Sequence, residues 1–181
     1  MSQSASEVTR GATPDRPYFF APAPPGHRMR EFVTPPALVP GDRVAVVAPG
    51  AGHAARFPHV YERGLDRLET VFELEPVPFP TATADDEYLA ANPDARARDV
   101  ERAFADPEIR GVVATIGGND QIRVLRHLDT ATLREHPTRF FGLSDNTNLA
   151  HALWNEGVVS FYGGHLLTAF GCPGPVPDYL D

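Results

Sequence analysis

The chain has 181 residues, 42% of them hydrophobic and 22% charged, with a formal net charge of −8. That balance suits one soluble globular domain, which at this size hides roughly 68–70% of its unfolded surface and needs no staples to hold a core. No run of Lys and Arg concentrates positive charge, so nucleic acid and anionic membrane are excluded as expected partners.

The single cysteine, Cys172, can close no internal disulfide and build no zinc site, which suits a reducing compartment. Met1 to Arg10 is polar and no apolar h-region follows, so no signal peptide or membrane span is predicted and the expected location is cytoplasmic. Residues 1–30, rich in Ser, Ala and Pro, read as a disordered extended tail. Residues 31–181 read as one α/β domain.

Val44 to Ala48 is a short continuous apolar run, the pattern of a strand buried on both faces in a parallel sheet. His59 to Phe72 has helical spacing through Val60, Leu65, Leu68 and Phe72. Val77-Pro78-Phe79 predicts a weak strand whose prolines confine it to a sheet edge. Asp85-Asp86-Glu87 reads as a solvated helix start. Pro93 to Ala105 is a helix, with Val100, Ala103 and Phe104 on one face. Gly111 to Ile116 is a second buried strand, followed by short helices over Ile122–Leu128 and Ala131–Glu135. Arg139 to Leu143 is a third strand, Asn146 to Asn155 a helix, Val158 to Tyr162 a fourth strand, and Gly164 to Phe170 a last helical segment. Alternating strands and helices imply a parallel sheet with helices on both faces, and ligands of such sheets bind beyond the carboxyl ends of the strands.

Small and polar residues collect at those ends. In Phe140-Phe141-Gly142-Leu143-Ser144-Asp145-Asn146, a serine stands where a buried strand turns directly into a helix. Such a turn can project a nucleophilic hydroxyl, with the helix start offering N–H groups to a developing oxyanion. It is also where Ser or Asp caps a helix, and the Gly-x-Ser-x-Gly form is only half met, because Asn146 replaces the second glycine. Gly117-Gly118, after the second buried strand, either brings the backbone close to a ligand or makes a tight turn.

The order and wording of several segments resemble the LD-carboxypeptidase family of serine peptidases, which includes the microcin C self-immunity peptidases. The resemblance starts at Pro40-Gly41-Asp42-Arg43-Val44, continues through Ala95 to Val100, Phe104 to Ile109 and Ile116-Gly117-Gly118, and ends at Gly142 to Leu149 and Phe161 to Gly164. It implies a flavodoxin-like α/β domain related in fold to class I glutamine amidotransferases. It further implies that Ser144 is the nucleophile and that N–H groups of Asp145 and the Gly117-Gly118 loop form the oxyanion hole. The substrate would be a small peptide, such as a murein tetrapeptide, or a peptide-nucleotide conjugate. The resemblance draws the remaining Glu and His of the triad from a C-terminal domain that this sequence lacks. The departures are Leu143 where an aromatic is common, and Asn119-Asp120 after the glycines.

Asn119, Asp120, Asn146, Asn148 and His165 are weaker candidates for substrate contact. His165 follows a strand end at the active rim and is the local substitute for the absent base, or else a solvated histidine. Neither a cofactor nor a metal site is predicted. Arg96 and Asp99 read as a structural ion pair, and Trp154 as a core residue. The competing expectation is a domain that keeps the fold but binds without catalysis. A face left apolar by the absent domain would favour a homodimer.

Overall fold

The computed structural model describes residues 31–176. The tail read at residues 1–30 lies outside the described residues, as do residues 177–181. In chain order the elements are β1 (Arg43–Val47), α1 (His53–Arg56), α2 (Pro58–Thr70), β2 (Glu75–Pro78), α3 (Asp86–Ala91), α4 (Pro93–Ala105), β3 (Ile109–Ala114), α5 (Ile122–Leu125), α6 (Thr130–Glu135), β4 (Arg139–Gly142), α7 (Thr147–Asn155) and β5 (Phe161–Tyr162). The five strands form one sheet in the order β2-β1-β3-β4-β5, parallel throughout. Pro76 and Pro78 lie on β2, an edge strand, where a missing N–H costs least.

Alternation along β1 divides the core. Val44 and Val46 face one layer with Tyr61 and Leu68 of α2 and with Leu166 and Phe170. Ala45 and Val47 face the other, with Val100 and Phe104 of α4, Leu133 of α6 and Leu149 and Leu153 of α7. Helices therefore cover both faces, as both-side apolar strands require. The chain leaves β1 towards the first layer and β3 towards the second. Their loops part above the neighbouring carboxyl ends of β1 and β3 and open a crevice there.

Three expectations need correcting. The last strand is only Phe161–Tyr162, because Val158 is drawn off into an isolated bridge with Val33. The expected helical segment after it is present as a π-helical turn, Leu166–Phe170, entered through Gly163 and Gly164 at φ 146° and 61°. Trp154 is 59% exposed and packs against Phe32 at a ring-centroid distance of 4.3 Å, outside the core. Arg96 and Asp99 do not pair: Asp99 accepts the N–H of Thr81, and Arg96 turns to the crevice. No described helix is long and apolar enough to cross a membrane.

Candidate active site

β4 ends at Gly142, Leu143 is still extended, and Ser144 takes φ +61° before the chain enters a 3-10 turn, Ser144–Asn146, that leads into α7. A left-handed non-glycine residue costs of order 1–3 kcal/mol and persists only where its surroundings enforce it. Here they do. A Cβ on Gly142 would lie 2.8 Å from that of Asn146, so the turn folds onto the strand end with no space to relax. The Ser144 N–H donates to the phenol oxygen of Tyr162 on β5 at 3.3 Å. Ser144 itself is exposed and lines a cavity of about 680 Å³ in the crevice.

The Gly117-Gly118 loop forms the facing wall. A Cβ on Gly117 would come within 2.9 Å of the Ser144 Cβ, so only glycine allows this approach. Its carbonyl accepts the N–H of Ala51 from the loop after β1 at 2.8 Å. In a trans peptide C=O and N–H point opposite ways. The N–H of Gly118 is therefore turned away from Ala51. One residue earlier, the Ile116 carbonyl accepts from the Asn146 side chain at 3.1 Å, which turns the Gly117 N–H the other way.

Buried amides stitch the two loops together. Gln121, with no exposed surface, donates through Nε2 to Asn146 Oδ1 at 2.7 Å and accepts the Leu149 N–H at 3.1 Å. Its backbone N–H donates to Asp145 Oδ2 at 2.8 Å. Asn146 Nδ2 bridges the Ile116 and Leu143 carbonyls. This corrects the expectation for Asn146: it is fully buried with both amide ends engaged, and no ligand can reach it. Asn148 is likewise turned inward, donating to the Asp145 carbonyl and carboxylate, both at 2.9 Å, and it does not line the cavity.

Asn119, Asp120 and His165 do line it. Asp120 is held by Arg96 at 3.0 Å and by Arg123 at 3.3 Å. The Arg96 side chain has no exposed surface and also donates to the carbonyls of Pro49 and Leu89, bracing the loops after β1 and β3 against α3. His165 is 3% exposed, with Nδ1 2.8 Å from the Thr168 hydroxyl, and burial pushes its pKa below the ordinary 6.5. The remaining walls include His53 of α1 and Asp86 of α3, whose carboxylate accepts the Gly52 N–H at 2.7 Å. No motif in the sequence marks Gln121 or Asp86, because their contacts join segments far apart in the chain.

A parallel α/β sheet with a strained serine at a strand-to-helix turn, facing a glycine loop across a crevice, is the arrangement found in α/β hydrolytic enzymes. The model of the LD-carboxypeptidase N-terminal domain matches residues 44–163. The chain belongs to that family. It is 31% identical over 144 residues to a putative carboxypeptidase of Vibrio cholerae, covering 78% of this chain and 42% of that one. A probable murein peptide carboxypeptidase of Bacillus subtilis is 38% identical over 85 residues, 46% of this chain and 27% of that one. The structure of the microcin C7 self-immunity protein MccF, a protein of Escherichia coli, with aspartyl sulfamoyl adenosine superposes with a TM-score of 0.73 at 26% identity, covering 80% of this chain and 43% of that one. This chain thus spans well under half the length of the curated relatives it matches.

Proposed function

We propose that Ser144 is the nucleophile of a serine peptidase that hydrolyses a small peptide or peptide-like amide. The observation that carries this reading is the exposed, left-handed Ser144 at the end of β4, with the Gly117 backbone so close that no side chain fits between them. A strained serine at that position is hard to explain as a helix cap alone, since capping asks for an ordinary extended residue.

In this reading Ser144 Oγ attacks the scissile carbonyl carbon and the carbonyl electrons move onto oxygen. The N–H groups of Gly118 and Asp145 receive that oxyanion. Collapse breaks the C–N bond, the amine leaves with a proton, and water hydrolyses the resulting ester. The proton on Oγ needs an acceptor. Among the described residues no imidazole or carboxylate is hydrogen-bonded to the Ser144 hydroxyl. We assign that task to a Glu–His pair from outside these residues, as the family resemblance implies. The name of one relative supports murein peptides as a substrate class, and the aspartyl sulfamoyl adenosine bound to MccF supports aminoacyl-nucleoside conjugates as another.

Acylation of the chain by an activated ester tests the assignment. A p-nitrophenyl ester expels a phenolate, which needs no protonation on leaving, so the chain can be acylated without the full triad. Mass spectrometry should find the acyl group on Ser144, and Ser144→Ala should abolish it. Equal labelling of the two proteins, as expected of a domain that only binds, would refute the reading.

A further inference from the structure

We propose that Gln121 is a positioning residue for the oxyanion site, joined to Asn146 in a clasp that fixes the loop after β3 against the Ser144 turn. This rests on Ser144 being the nucleophile.

The orientation of both amides is dictated by backbone groups. The Leu149 N–H can only donate, so it faces Gln121 Oε1 and leaves Nε2 as the donor. The carbonyls of Ile116 and Leu143 can only accept, so they face Asn146 Nδ2 and leave Oδ1 as the acceptor. The two free ends then meet, Nε2 to Oδ1 at 2.7 Å. Each hydrogen-bonding end of the pair is thereby engaged, and no other arrangement of the two amides satisfies the same three backbone groups.

The clasp reaches each proposed donor from a different side. On the glycine loop, Asn146 holds the Ile116 carbonyl while Ala51 holds the next one, that of Gly117. Two successive peptides fixed by their oxygens leave the Gly118 N–H one direction to point. On the Ser144 turn, the Gln121 N–H holds the Asp145 carboxylate, and Leu149 ties the first turns of α7 to Gln121 Oε1. Gln121 is thus the residue through which the separation of the Gly118 and Asp145 donors is set. A buried side chain needed only to fill volume would be apolar, since a buried amide is costly unless every end is matched.

The experiment is pre-steady-state acylation of the 181-residue chain by p-nitrophenyl acetate, read as the first release of p-nitrophenolate, with Ser144→Ala as the blank and thermal unfolding of each variant alongside. Gln121→Met keeps length and volume but makes no side-chain hydrogen bonds. Its Ser144-dependent acylation rate should fall about 10- to 100-fold, less than the ~10²–10³ that loss of a whole donor costs, while the half-saturating ester concentration stays within about twofold. Gln121→Glu retains the acceptor for Leu149 but, when ionised, offers no donor to Asn146. Protonation restores that donor, so its acylation rate relative to Gln121→Met should climb as pH is lowered. A purely structural role would leave that ratio flat. Unchanged acylation in both variants, or a flat ratio, overturns the clasp while Ser144-dependent acylation still stands. Phenolate release that does not depend on Ser144 in the unaltered chain removes the nucleophile assignment and the clasp with it. Should Gln121→Met not fold, the pH dependence of Gln121→Glu measured against the unaltered chain decides in the same way.

Discussion

The Cα of Gly117 stands directly against the side chain of Ser144: a methyl group there would lie 2.9 Å from the Ser144 Cβ and 3.1 Å from its hydroxyl oxygen. Both distances are shorter than ordinary carbon contacts, and Leu143 blocks retreat with its carbonyl at 3.3 Å. Gly117→Ala must therefore displace the serine or the loop. We expect a stability loss of about 1–3 kcal/mol, as for other overpacked sites. Ser144-dependent acylation by the activated ester should slow more than tenfold, since ångström displacements of reacting groups cost on that scale. Denaturant unfolding and the acylation assay measure the two effects separately, and retained acylation would show that the contact is not part of the site.

Tyr162 offers a gentler perturbation of the same turn. Its phenol accepts the Ser144 N–H, yet the residue is 72% exposed, so its hydroxyl adds little to the core. Tyr162→Phe should change stability by less than about 1 kcal/mol, the net value of an ordinary hydrogen bond. Acylation by the activated ester should slow several-fold, because the left-handed serine loses the phenol as acceptor. A variant acylated at an unaltered rate would mean that the turn holds itself.

How far the sequence disclosed this arrangement follows from the range of each interaction. β1, α4 and β3 were legible because apolar runs and helical spacing are local, and Pro93–Ala105 was bounded correctly by its proline and its apolar face. The serine turn and the glycine loop were legible because each lies within a few residues of a strand end. Gln121 was invisible: its role comes from Asn146 and Leu149, reached across the crevice. Asn146 and Asn148 were misread for the same reason, since polar residues beside a candidate nucleophile look like ligand contacts until their inward partners are seen. The pairing of Arg96 with Asp120 rather than Asp99 depends on how α4 crosses the loops after β1 and β3.

Arg96 is the charge on which that crossing turns. Its guanidinium is wholly buried and bonded to Pro49, Leu89 and Asp120. Arg96→Met would strip two backbone carbonyls of a donor and leave Asp120 with Arg123 alone. Breaking one side of a buried pair costs about 3–5 kcal/mol. Because Asp120 keeps some exposure and a second partner, the lower end, about 3 kcal/mol, is expected in urea unfolding. A loss under about 1 kcal/mol would show that water replaces the guanidinium.

His165 sets a pH dependence of defined sign. Burial holds its folded-state pKa below the 6.5 of the free side chain. Between those two values the unfolded chain binds more protons than the folded one, so stability rises with pH. The contribution is complete above about 6.5, declines as pH falls through that value, and levels off below the folded pKa. His165→Gln removes this titration. The stability advantage of the unaltered chain over the variant should therefore shrink on acidification, and an advantage constant from neutral to mildly acid pH would contradict the assignment.

The final expectation concerns true peptide substrates. An amide leaving group departs only with a proton, and serine is a weak nucleophile until a base removes its own. His151 lies on the helix after Ser144, about 10 Å along the axis at 1.5 Å per residue, beyond direct transfer over ~2.6–3.2 Å. His165 has Nδ1 turned to Thr168. The 181-residue chain alone should therefore release no measurable D-alanine from a murein tetrapeptide, although it forms an acyl-enzyme with an activated ester. Adding the same assay for Ser144→Ala and His165→Gln makes the result decisive. Robust tetrapeptide turnover lost in Ser144→Ala would place a working base among these residues. Its further loss in His165→Gln would identify the imidazole at the cavity wall as that base, in place of a Glu–His pair from elsewhere.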